Sequence, residues 1–334
     1  MSQTRPPMGR LPPEDDLTVR LPPGTRLPMP ASTPAAPAAT PRARNPLPAL
    51  LLAGLAGLAL LGGAAWLLWP ATPPVAPPVA QAPAEPQPPP LLGEAAILAH
   101  RATAPTALRW SGNPLVWVLD FPDLASQGAA MNRAAAFIEK ARTPRDRVLT
   151  DAELAQAIAA DERDTGSYYY GHNYRSSALE RMFAMADAAG IALNPSEQWL
   201  RDQVALARRI AGGEEVAILT IPGLGASVDQ ELRATILRHE LSHGQFFTLP
   251  DFHAHVMRVW REGFTEAERE AVRAFLGGDG YDTSQEEMMA NEAMAYLLYT
   301  PDARVFDPAE HLRFTPEQTT RLRRLLMAGA PALP

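Results

Sequence analysis

The sequence predicts an α+β domain, mainly helical with few strands, preceded by a single transmembrane helix. Three observations predict it. Residues 47–69 run 23 positions without a charge, long enough to cross a hydrocarbon layer as a helix. Beyond residue 92, apolar residues recur at helical spacing behind residues with strong capping chemistry. Only two runs, 115–119 and 216–221, read as short buried strands.

Composition narrows the chemistry. The 334 residues carry no cysteine, which removes disulfides, thiol nucleophiles and thiolate metal sites and leaves histidine and carboxylate as the metal ligands. A net charge of −7 argues against general nucleic-acid binding. Of the 35 prolines, 23 precede Leu91, so the globular part is expected after them.

Residues 1–46 are rich in proline, repeat Arg-Leu-Pro at Arg10, Arg20 and Arg26, and lack apolar periodicity. They read as a disordered, solvated tail, with docking of a partner as the second reading. Six arginines precede the apolar run of 47–69, and no Lys or Arg follows until Arg101. That asymmetry places the amino terminus in the cytoplasm and the rest of the chain beyond the inner (cytoplasmic) membrane, in the periplasm. A cleaved signal is the rival, opposed by the long segment before the run. Residues 70–92 form an extended Ala/Pro linker, and 93–334 the domain.

Within the domain, helices are expected at 123–142, at 150–162 behind Thr150 and Glu153, and from Ser176 to the stop at Gly190. Asn194, Pro195 and Glu197 start another. Between these, Tyr168-Tyr169-Tyr170-Gly171-His172-Asn173-Tyr174 reads as a loop that either lines a cleft, offering a hydrogen bond to a reacting carbonyl, or covers surface. The strand at 216–221 either offers a free edge to an extended peptide or is internal. Further helices follow at 251–262, at 265–276 behind a Thr265/Glu268 capping box, at 284–299, and from Thr315.

Arg238-His239-Glu240-Leu241-Ser242-His243 carries the most specific chemistry. Its helix is capped by Ser227 with Gln230 in a box pattern. At about 100° per residue, His239 and His243 stand one turn apart on one face, within reach of one metal ion. Glu240 sits at the edge of that face, placed to address a water rather than the metal. The bland alternative is a pair of satisfied core histidines. A catalytic zinc takes three protein ligands, and downstream stand His253, His255, Asp279, Asp282 and Glu292. Glu292 is favoured, because it shares an apolar helical stripe with Met288, Met289, Ala295, Tyr296 and Tyr299. A carboxylate there must be neutral, salt-bridged or metal-bound.

Over residues 227–299 the chain resembles the gluzincin zinc metallopeptidases, in which HExxH on one helix is completed by a glutamate on a later one, often after asparagine, as in Asn291-Glu292. The resemblance implies a zincin-like fold, zinc held by His239, His243 and Glu292, and Glu240 as general base. Many gluzincins also carry an aspartate a few residues later to orient a histidine, where this chain has Ala295 and Tyr296. The metzincin pattern fails, needing glycine at Phe246 and histidine at Leu249. The expected function is therefore a membrane-anchored zinc metallopeptidase acting on a peptide or protein outside the cytoplasm. The alternatives are a binding module with a structural metal and a hydrolase of another amide bond.

Overall fold

The computed structural model describes residues 87–161, 163–166 and 169–331. Five strands make one mixed sheet: β1 (Leu91–Leu92), β2 (Thr106–Trp110), β3 (Val116–Asp120), β4 (His172–Arg175) and β5 (Ala217–Ile221), in the order β1-β2-β3-β5-β4. β1 runs parallel to β2, β2 antiparallel to β3, β3 parallel to β5, and β5 antiparallel to β4. The sheet is more extensive than the two strands that the sequence pattern disclosed. All five residues of β3 and all five of β5 are buried, as expected where a sheet is covered on both faces.

Eleven α-helices accompany the sheet among the described residues: α1 (Glu94–Ala99), α2 (Leu124–Ile138), α3 (Asp151–Ala160), α4 (Ser176–Ala188), α5 (Pro195–Ile210), α6 (Gln230–Thr248), α7 (Pro250–Arg258), continued by a π-helical turn at Val259–Gly263, α8 (Glu266–Gly278), α9 (Glu286–Tyr299), α10 (Pro308–His311) and α11 (Pro316–Met327). The capping boxes of α3, α5 and α8 are the ones expected from Thr150/Glu153, Asn194/Glu197 and Thr265/Glu268. α6 starts differently. Its cap is Asp229, whose carboxylate accepts from Leu232 N at 2.7 Å, in place of Ser227.

The expected transmembrane helix requires a correction, and with it the inner-membrane location. Among the described residues no helix is long and apolar enough to cross a membrane. A span needs about 20 predominantly apolar residues. The longest helix, α6, has 19 residues and carries Glu231, Arg233, Arg238 and Glu240. The run 47–69, the tail 1–46 and the linker up to residue 86 lie outside the described residues.

α6 packs across β3, β5 and β4 on one side and against α9 on the other, which is why both of its sides are apolar. Gly244 lets it lie close to the sheet: a Cβ there would stand 2.7 Å from Val116 Cγ1. Its first half is pinned by Arg233, which donates to both oxygens of Asp120 at 3.1 and 3.0 Å and to the carbonyl oxygens of Pro222 and His100. Both partners are buried. Asp120 also takes His100 Nδ1 at 2.6 Å, so one charged cluster ties the end of α1, β3 and α6 together.

Candidate metal centre

The core of the site is local helix geometry. His239 and His243 sit one turn apart on α6, fully buried, with ring centroids 4.7 Å apart. α9 crosses their face and brings Glu292, 2 % exposed. His239 Nε2 stands 3.5 Å from Glu292 Oε2, and His243 Nε2 3.6 Å from Glu292 Oε1. These separations are too long for hydrogen bonds. They are close to the roughly 3.3 Å between ligand atoms of a tetrahedral ion bound at about 2.0–2.1 Å. The three residues form a buried group that could hold a metal ion, and among the described residues no fourth His, Asp or Glu joins it.

The polar atoms of the group fit such an ion. His239 Nε2, His243 Nε2 and Glu292 Oε2 are buried without a hydrogen-bond partner, a costly arrangement unless a ligand satisfies them. Burial pushes His239 down to about 3. It also pushes His243 down to about 4, against the opposing pull of Glu292. Both imidazoles are therefore neutral at pH 7, the form that ligates a metal. Burial raises Glu292 and, with the charge of Glu292 added, raises Glu240 well above the usual carboxylate range.

The group that orients His239 is Thr300, one residue past the end of α9. Thr300 Oγ1 donates its only hydrogen to Ala295 O at 3.1 Å, so at 2.9 Å from His239 Nδ1 it must accept the proton of that nitrogen. The tautomer is thereby fixed with the lone pair on Nε2, facing Glu292. A hydroxyl, and not a carboxylate, thus orients His239. No such group orients His243, whose Nδ1 and Nε2 are both buried without a hydrogen-bond partner. Thr300→Val should weaken metal binding about 10–100-fold, the usual loss when such an outer partner is removed, and Thr300→Ser should restore it. Competition titration against a chromophoric chelator measures both; equal affinity for wild type and Thr300→Val would exclude the role.

Glu240 is outside the ligand group, as its position on the helix face required. Its Oε2 accepts from Asn173 Nδ2 at 3.2 Å, and its Oε1 has no hydrogen-bond partner. Gly171 leaves the room for it, since a Cβ there would overlap Glu240 Oε1. Both neighbours come from the tyrosine-rich segment expected as a loop. Residues 172–175 instead form β4, where pairing with β5 sets the alternation. Asn173 and Arg175 fall on the α6 side. His172 and Tyr174 fall on the other, with His172 Nδ1 3.0 Å from Thr220 Oγ1 and Tyr174 Oη donating to Glu139 Oε2 at 3.1 Å.

β4 pairs only with β5 and is the sheet edge. β5, weighed above as a free edge, lies between β3 and β4. A cleft of about 420 Å³ runs beside β4, touched by Asn173, Tyr174 and Arg175, and reaches Glu292. The other ligand candidates stay apart. His253 faces Glu287 at 3.7 Å, His255 Nε2 bonds Leu325 O at 2.9 Å, and Asp282 pairs with Arg145 at 3.2 Å.

Two further residues near the site escaped sequence reasoning. Glu139, at the end of α2, is 5 % exposed and is pushed up to about 8 by burial and by the charge of Glu292, with Tyr174 opposing. Tyr281 is buried, its hydroxyl has no hydrogen-bond partner, and burial with the charges of Glu292 and Glu139 keeps it protonated. Neither lies in a local pattern that distinguishes it; the end of α2 meets the 279–285 turn through Asp282 N donating to Glu139 O and the bridge between Lys140 and Tyr281. No family model, curated protein or solved structure matches the chain.

Proposed function

We propose that the domain is a zinc-dependent peptidase of gluzincin type. The observation that carries this reading is the open ligand set: two histidines and a glutamate converge with no fourth protein ligand among the described residues, while a separate glutamate stands beside them with one free oxygen. A structural metal is normally closed by a fourth protein ligand. His255, one residue able to supply it, bonds Leu325 O, and His253, the other, lies outside the group.

His239 and His243, neutral through Nε2, and Glu292 would hold the ion. Zinc, when bound, acidifies water and polarises a carbonyl as a Lewis acid. Glu240 then has two tasks. The charge of a bound cation would lower Glu240 and return it to the carboxylate; its Oε1 could then take a proton from the attacking water, whose oxygen bonds to the carbonyl carbon, and the same carboxyl would deliver that proton to the leaving nitrogen as the C–N bond breaks. Asn173 holds Oε2 and so aims Oε1. The outer edge of β4 offers backbone groups to an extended peptide lying in the cleft, which would add it to the sheet as a further strand.

The experiment is incubation of the full chain with an unbiased peptide mixture and mass spectrometry of the products. Zinc-loaded protein should generate new termini, and chelator-treated protein none. Absence of products from the loaded protein, or products insensitive to chelation, would contradict the assignment.

A further inference from the structure

Gly171 directly precedes β4 and lies two positions before Asn173, the spacing that returns an extended chain to the same face. That face meets Glu240. Asn173 reaches it with a hydrogen bond, Nδ2 to Oε2 at 3.2 Å. Gly171 meets it with no side chain, and the missing group has a specific effect. A Cβ at position 171 would overlap Glu240 Oε1 and stand 2.8 Å from its Cδ and 3.1 Å from its Cγ, and these three Glu240 atoms are the nearest it would meet. Oε1 is the oxygen buried without a hydrogen-bond partner, the one that handles the proton in the proposed mechanism.

The backbone does not ask for glycine here. Gly171 has a φ outside the left-handed region, which Gly190, Gly212, Gly213 and Gly280 occupy, so alanine can take the same conformation. At Gly128 and Gly223 a Cβ would run into the carbonyl oxygens of Thr165 and Pro122, which cannot move unless the chain moves. The obstacle at Gly171 is instead the end of a side chain, which can yield by rotating about its own bonds. The fold can therefore keep an alanine at 171, and what changes is the place of the Glu240 carboxyl.

We propose that Gly171 is a positioning residue for the general base: by leaving out one methyl group it sets the place of Glu240 Oε1, while Asn173 holds the other oxygen. That Oε1 acts as a base rests on the peptidase reading; that Gly171 sets its place rests on packing alone. β4 is also the edge strand of the sheet, so one segment of chain would both seat an extended peptide and aim the group that attacks it.

The test is a double-mutant cycle on the full chain, with Gly171→Ala, Glu240→Ala and the pair compared at equal zinc loading by thermal midpoint. Gly171→Ala alone should lower the midpoint by about 2–4 °C. In the Glu240→Ala background it should leave the midpoint unchanged or raise it, since the overlap is gone and alanine restricts the unfolded chain. An unfolded Gly171→Ala beside a folded pair would be the same coupling in a stronger form. Equal shifts in the two backgrounds, or a pair that does not fold, would overturn the proposal. In peptide hydrolysis, Gly171→Ala should lose about 10²-fold in kcat with KM little changed and zinc retained, as for a catalytic group displaced by about 1 Å; a wild-type kcat would overturn the proposal as well. No hydrolysis by wild type would instead fail the peptidase reading, and the thermal cycle would still decide whether Gly171 sets the place of Glu240.

Discussion

Glu240→Gln is expected to lower the rate of peptide hydrolysis by about 10²–10⁴-fold, the usual loss of general-base assistance, with the metal retained. The substitution keeps an oxygen for Asn173 Nδ2, which holds Glu240 Oε2 at 3.2 Å, and it removes only the ability to take a proton. Because Glu240 is outside the His239, His243 and Glu292 group, zinc content should not change. The loss should appear in kcat and in kcat/KM together, as for an interaction made only in the transition state. Equal rates for wild type and variant, measured on any peptide that wild type cleaves, would remove Glu240 from the mechanism.

The second large effect is on stability. Arg233→Ala should cost about 3–5 kcal/mol, because it removes the guanidinium that neutralises buried Asp120 and leaves His100 Nδ1 as its remaining side-chain partner. Asp120 and Arg233 are 0 % and 1 % exposed at the side chain, so solvent cannot take over the lost partner. The double variant Asp120→Asn/Arg233→Met should recover much of the loss, since neither charge then remains. Denaturant unfolding of the three proteins measures this. A loss below about 1 kcal/mol for Arg233→Ala would show that the cluster does not hold α6 to the sheet.

Local chemistry was legible in the sequence, and long-range pairing was not. Thr150, Asn194 and Thr265 cap the helices expected of them because a capping box is made within four residues. His239 and His243 share a face for the same reason, and Glu292 was found through its place in an apolar stripe. Asp229 displaced Ser227 as the cap of α6, because in the tertiary structure Ser227 serves the hydroxyl of Tyr170. β4 was hidden because His172 and Tyr174 are polar-tipped aromatics whose partners, Thr220 and Glu139, are far away in sequence. β1, only two residues long, is defined by pairing with β2 rather than by its own pattern. Thr300 gave no signal at all. Its role arises from a backbone turn just after α9 that sets one hydroxyl between Ala295 O and His239 Nδ1.

The central claim is that His239, His243 and Glu292 hold one zinc ion, and elemental analysis of the dialysed full chain tests it most directly. Wild type should retain about one zinc per chain, the content of a single site of this kind. His239→Ala and Glu292→Ala should each lose it, while His253→Ala, whose imidazole faces Glu287, should not. Zinc retained by Glu292→Ala at wild-type affinity, or lost from His253→Ala, would contradict the assignment.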